Sequence, residues 1–308
     1  MRFDIVIPVY NEEECIPETI NRLELLRKKL DMYEVHFIFV NDGSRDRTFE
    51  LLSNQCLQKK HIHVINLSRN FGHQIALTAG LDFTNADYVG IIDGDLQDPP
   101  ELFEEMLTIM NNEGLDVLYG QRKAREGESL FKKFTAKCFY YLLSRMCDVE
   151  IPRDTGDFRL IRNPVLKSLK EMREKHRFVR GLVPYAGYKQ KSFMYHRKER
   201  FAGSTKYPFV KMMNFALDAI FSFSSKPLKM IRYFGLVTLF VSVLLIINAI
   251  VIKMNSSAVP GYSSTLIVIV FFSSIQILAI SILGEYIGRI FEESKKRPLY
   301  FIKDMVNG

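Results

Sequence analysis

Two uncharged apolar runs, Phe234 to Ile252 and Thr265 to Leu283, constrain this chain more than any other feature of it. Each has about the 20 residues that an α-helix needs to cross the hydrocarbon core of a bilayer. Core helices of that length usually carry charge on a solvent face, and neither run does, so two buried helices of a soluble protein are the weaker reading. Lys226, Lys229 and Arg232 precede the first run and Arg289, Lys295, Lys296 and Arg297 follow the second, while the linker offers only Lys253. Positive flanks stay in the cytoplasm, so the expectation is a multi-pass inner-membrane protein with the linker outside. Met1 to Pro8 lacks the basic and apolar regions of a signal peptide, which keeps the N-terminal domain cytoplasmic.

The expected layout is a large domain over 1–206, an amphipathic juxtamembrane segment over 207–232, a two-helix membrane hairpin over 233–289 and a cytoplasmic tail over 290–308. A net charge of +7 calls for an anionic partner. Next to two spans, membrane phosphate and the lipid bilayer suit that charge better than nucleic acid, for which no motif is present. Cys15, Cys56, Cys138 and Cys147 show neither zinc-ligand spacing nor a disulfide framework.

Before residue 116 the chain alternates short β-rich runs with helical patterns. Phe3 to Val9, Val35 to Val40, Ile62 to Leu67 and Tyr88 to Ile92 read as strands. Pro17 to Leu30, Arg47 to Gln58, His73 to Phe83 and Pro99 to Asn111 read as helices. That alternation predicts an α/β fold with a mostly parallel sheet, whose ligands sit at the carboxyl ends of the strands. Beyond Asp116 the pattern is lost. Leu130 to Met146 and Tyr207 to Phe223 are amphipathic, and either lie in the membrane interface or pack as ordinary helices.

The strand ends carry the chemistry. Asp93-Gly94-Asp95 places two carboxylates beside a glycine that admits a ligand, a hard-oxygen set suited to Mg²⁺ or Mn²⁺ on a diphosphate, or else a solvated turn. Asp42 either belongs to a turn capping the next helix, a role Ser44 or Asp46 also fits, or accepts from a nucleotide's base or ribose. Asp157 is either a turn carboxylate paired with Arg159 or part of a reaction centre.

Ile7-Pro8-Val9-Tyr10-Asn11-Glu12, Val40 to Ser44, Asp93 to Glu101, Asp154 to Arg159, Arg200 to Tyr207 and Gly284 to Arg289 occur in an order that resembles the family-2 glycosyltransferases making polyprenyl-phosphate sugars. The resemblance covers essentially the whole chain. It implies a GT-A (Rossmann-like) fold, a UDP-sugar donor, a polyprenyl phosphate acceptor such as undecaprenyl phosphate, a divalent metal, inversion at the anomeric carbon and a homotetramer. By position, Pro8, Tyr10, Glu12, Asp42 and Asp93 would contact the nucleotide-sugar, Asp95 with Asp93 the metal, and Asp157, Asp95 and Arg200 the reaction. Arg200, Ser204 and Lys206 would meet diphosphate or acceptor phosphate; separately, from their place in the stretches next to the membrane, Arg122, Lys132, Lys133, Arg200 and Lys206 are expected to form a basic cluster that gathers the acceptor phosphate. A phosphate acceptor is already ionised at neutral pH, so Asp157 is expected to orient groups rather than remove a proton. One rival is a processive polysaccharide synthase, whose Gln-x-x-Arg-Trp motif has no counterpart in a chain without Trp. The other is an inactive membrane protein that binds lipid or nucleotide.

Overall fold

The computed structural model describes residues 1–122, 155–196, 224, 226–254 and 262–307. Four βα units open the chain: β1 (Arg2–Val9), α1 (Ile16–Lys29), β2 (Glu34–Asn41), α2 (Thr48–Gln58), β3 (Ile62–Leu67), α3 (His73–Phe83), β4 (Tyr88–Ile91) and α4 (Leu102–Glu113). These follow the sequence expectation closely. The largest shift is at α4, where Pro99 and Pro100 form the turn that leads in: the Leu102 and Phe103 amides donate to their carbonyls. β1 is buried along nearly its whole length, as a strand covered on both faces by helices must be.

Past Asp116 come β5 (Val117–Arg122), β6 (Thr155–Arg162), α5 (Asn163–Glu171), α6 (Val179–Tyr185) and β7 (Gln190–Tyr195). They complete a mixed sheet of order β7-β5-β6-β4-β1-β2-β3-β8, in which β8 is Ile302–Val306. The central strands β4, β1, β2 and β3 are parallel, and β6 runs antiparallel between β4 and β5. Reversal at β6 carries Thr155 to Arg159 back to the edge where β1, β2 and β4 end, because Arg159 lies opposite Ile91.

Alternate strand residues feed two cores. Phe3, Ile5, Phe37 and Phe39 pack with Ile16, Leu23, Leu52 and Phe103 of α1, α2 and α4. Val6, Ile38 and Ile65 pack with Ala76, Leu77, Val165 and Leu182 of α3, α5 and α6. The result is a three-layer α/β sandwich with a largely parallel sheet.

Two long helices follow, α7 (Lys226–Met254) and α8 (Tyr262–Ser294). Among the described residues one stretch, Phe271–Ser294, is long and apolar enough to cross a membrane, and none of that stretch is buried against protein. α8 outruns its apolar run: Gly284 to Ser294 adds about 16 Å of helix at 1.5 Å per residue. In that extension the Tyr286 hydroxyl donates to the Ser224 carbonyl just ahead of α7. Residues after α8 rejoin the sandwich, since β8 pairs antiparallel with β3. The sheet therefore includes residues from the segment expected to be only a tail.

Candidate active site

β1 and β2 end side by side, with Val9 opposite Asn41, and β4 runs along β1 as far as Val6, opposite Ile91, so that Ile92 to Asp95 continue toward the same edge. Gly94 allows this packing. A Cβ there would stand 2.6 Å from the Val9 side chain, so this glycine admits the neighbouring strand end. Gly43 turns the β2 end at φ +65, and a Cβ there would meet Arg69 backbone at 2.5 Å. The Asp42 carboxylate spans the same gap and accepts the Phe71 and Gly72 amides at 2.7 and 2.9 Å. Burial raises its pKa against those two hydrogen bonds.

The β1 loop is built as firmly. Asn11 adopts φ 53, its amide donates to the Ser44 hydroxyl and its side chain accepts from the Arg45 amide. The Glu12 amide donates to Thr48, and Tyr10 stands 41% exposed at the edge. Asp46 accepts the Thr48 and Glu13 amides, while the cap position of α2 falls on Arg47, which makes no side-chain cap hydrogen bond.

The charged centre lies where β4 meets β6. Asp157 is fully buried and accepts from Arg180 Nε and Nη2, both at 2.9 Å, from His73 Nε2 at 3.0 Å and from Gln74 Nε2 at 3.2 Å. Burial alone would raise its pKa, but the Arg180 charge and the His73 and Arg180 hydrogen bonds hold it well below the usual carboxylate range. The adjacent cation, Arg159, is not the main partner. Its Nη2 lies 3.9 Å from the carboxylate and donates to the Gly156 carbonyl, while burial draws its pKa down to about 10. His73, the first residue of α3, also lies 3.5 Å from Asp93. Burial would lower its pKa, yet the Asp93 and Asp157 charges lift it to about 9, which makes it an imidazolium at neutral pH.

Asp93 is in the opposite condition. Its Oδ1 is buried and receives no hydrogen bond, and burial plus the charges of Asp157, Asp98 and Asp95 push its pKa up against the pull of His73. Asp95 is nearly buried and accepts the Gln97 amide at 3.1 Å. Ligand atoms of His73, Asp93 and Asp157 lie within 4.8 Å of one another, close enough to hold a metal ion. Within this group Asp93 has the unmet need, because a protonated His73 has no lone pair to give and Asp157 is already saturated by donors.

The structure thus gathers Asp93, Asp95 and Asp157 in one centre, with Asp42 and Pro8 to Glu12 beside it. Arg122 ends β5 over Gly156, where its Nη2 would lie 2.7 Å from a Cβ, and it hydrogen-bonds Tyr195. Lys132, Lys133, Arg200, Ser204 and Lys206, and the two amphipathic stretches, lie outside the described residues. His73, Gln74 and Arg180 complete the centre without having been singled out in sequence. The first two had a signal, since they begin the helix that follows a polar strand end. Arg180 had none.

A family model described as glycosyl transferase family 2 matches residues 4–170. An uncharacterized glycosyltransferase of Bacillus subtilis, YkcC, is 46% identical over 98% of this chain and 94% of its own length. The bactoprenol glucosyl transferase of Shigella phage SfX is 37% identical over 98% of this chain and 99% of its own. Among solved structures, glucosyl-3-phosphoglycerate synthase from Mycobacterium tuberculosis is a faint match, 19% identical over 72% of this chain and 79% of its own with a TM-score of 0.48.

Proposed function

The chain belongs to glycosyl transferase family 2, and from that premise we propose that it transfers a sugar from a UDP-sugar to a polyprenyl phosphate at the cytoplasmic face of a membrane. The observation that carries this reading is the state of Asp157. A carboxylate that takes both Nε and Nη2 of Arg180, with the His73 imidazolium beside it, is a poor proton acceptor. An alcohol acceptor would need a base there. A phosphate monoester, with its second pKa of about 6, arrives ionised and needs none. Kinship with bactoprenol glucosyl transferases, along nearly the full length of both chains, supports the same acceptor class.

The reaction then turns on bringing two anions together and stabilising the diphosphate that departs. In this reading Arg180, His73 and Arg159 supply fixed positive charge at the centre, and Asp157 holds the first two in place. Asp93 and Asp95 hold Mg²⁺ or Mn²⁺, which when bound neutralises diphosphate oxygens. Pro8, Tyr10, Glu12 and Asp42 receive the nucleotide, and Arg122, Lys132, Lys133, Arg200, Ser204 and Lys206 the acceptor phosphate. Attack on the face opposite the departing UDP inverts the anomeric carbon.

The membrane part of the reading rests on uncovered apolar surface. Phe240, Ile247, Ile277 and Ile280 are each more than half exposed, a surface that water does not tolerate over two helices. α7 and α8 form a hairpin that crosses twice, both feet cytoplasmic, with the family's tetramer as the assembly. A cysteine at Ser256 should then be labelled from outside the cell and one at Ser294 should not; the reverse pattern would overturn the orientation. To test the function itself, purified protein is offered a panel of UDP-sugars with undecaprenyl phosphate and divalent metal. The expected product is a polyprenyl-phosphate-sugar identified by mass, and its absence with every donor would sink the proposal.

A further inference from the structure

The connection between α5 and α6, residues 172–178, lies between the foot of α8 and the charged centre. Arg173 Nη1 donates to both oxygens of Asp82, at 2.8 and 2.7 Å, and the Tyr300 hydroxyl shares that carboxylate at 2.9 Å. Lys175 is held twice: its amide donates to Glu293 at 2.6 Å, and its ammonium donates to the Arg297 carbonyl. His176 Nε2 stands 3.0 Å from Glu292. Arg177 turns inward, buried, and donates to the Leu169 carbonyl at 3.0 Å.

Two residues later α6 begins. The Val179 amide donates to the Gln74 side-chain carbonyl at 2.9 Å, while the amide nitrogen of Gln74 reaches Asp157. Arg180, the next residue, grips Asp157 through two nitrogens. Little slack separates the outer contacts from the inner ones, because an extended chain spans at most about 3.5 Å per residue and His176 is four residues from Arg180.

We propose that Glu292 and Glu293 are positioning residues of the active site: from the foot of α8 they hold the 172–178 connection, and through it the Arg180 guanidinium against Asp157. The apolar helix is then part of the machinery that shapes the centre as well as its anchor. Exposed pairs of this kind add little to global stability, so their removal acts on the local geometry of α6 and leaves the fold in place. Misplacing a fixed charge by an ångström is costly to a reaction that depends on orientation.

The kinetic part rests on the transferase reading above, whereas the structural part does not. The test is the full-length protein carrying Glu292→Gln and Glu293→Gln, compared with wild type in the same lipid nanodiscs. Amide exchange over residues 176–183 should rise at least about tenfold, while exchange in β1 to β4 and the melting temperature stay unchanged. In transfer assays kcat should fall about ten- to a hundredfold with the KM for UDP-sugar held within about twofold, the split expected of lost orientation. Pairing His176→Glu with Glu292→Lys should restore most of the rate lost in either single variant. Unchanged exchange over 176–183 overturns the proposal, and so does raised exchange with unaltered kcat. If the wild type transfers nothing, the transferase reading fails and the exchange arm alone decides whether α8 holds α6.

Discussion

Near the ends of β4 and β6 stand two carboxylates, Asp157 fully buried and Asp93 partly so, whose offered oxygens are within 4.8 Å, yet their surroundings are opposite. Asp157, on β6, is surrounded by donors from α3 and α6 that were assembled when the chain folded. Asp93, at the end of β4, has an oxygen with no donor and three carboxylates for neighbours. The contrast separates two jobs. A saturated carboxylate anchors the cations that face anionic substrates, and an unsatisfied one waits for a cation that comes with the substrate.

The sharpest way to test that division is to remove the carboxylates one at a time. Asp95→Asn should cut turnover by more than about a thousandfold and abolish metal-dependent UDP binding, since the amide removes a charge and an oxygen ligand that a hard cation needs. Full activity with unchanged metal dependence would dissolve the contrast. Asp157→Asn leaves Arg180 and His73 facing a neutral group and should cost about 3 kcal/mol of stability. Asp93→Asn, measured without metal, should be neutral or stabilising because it relieves a buried cluster of negative charge. Equal melting shifts for the two variants would break the comparison.

Acidity sets the same two carboxylates in opposition. Asp157 has a depressed folded pKa, so its contribution is present above the ordinary carboxylate range and lost as pH falls through its folded value. Asp93 has a raised folded pKa, so the protein is destabilised as pH rises from the ordinary range through that value. The stability of Asp93→Asn should therefore exceed that of wild type at pH 7 and converge with it in acid. A smaller and more local effect is expected at His73. Its stabilisation is complete below its unfolded pKa and is lost as pH rises through about 9. Imidazole NMR in metal-free protein should show that titration, and divalent metal should pull it downward by competing for Asp93. A titration at the ordinary histidine value without metal would remove the imidazolium from the account.

How much of this could be read in the chain depends on the distance over which each feature is encoded. β1 to β4 and their helices were legible because hydrophobic alternation and turn residues are local, and buried parallel strands declare themselves as apolar runs. Asp42, Asp93 and Asp95 followed from their places at strand ends. Asp157 was legible as a candidate, but its partner was not. Arg159, two residues away, was the local choice, and Arg180 wins because the start of α6 brings both its nitrogens into line with the carboxylate. β8 was equally hidden: five residues beyond a long apolar helix carry no mark of joining β3, and only the tertiary fold joins them. The packing demand on Gly94 was hidden for the same reason, since the Val9 side chain that crowds it lies on a different strand.

The central claim is that the acceptor brings its own charge and that no side chain at the centre acts as its base. The measurement that tests it most directly is a competition, in detergent without anionic lipid, between undecaprenyl phosphate and the corresponding dephosphorylated polyprenol for the same UDP-sugar. Transfer to the phosphate at least about a thousandfold faster is the expected result. Comparable transfer to the polyprenol would contradict the account, because an alcohol would then be activated by a base that Asp157, bound to Arg180, cannot be.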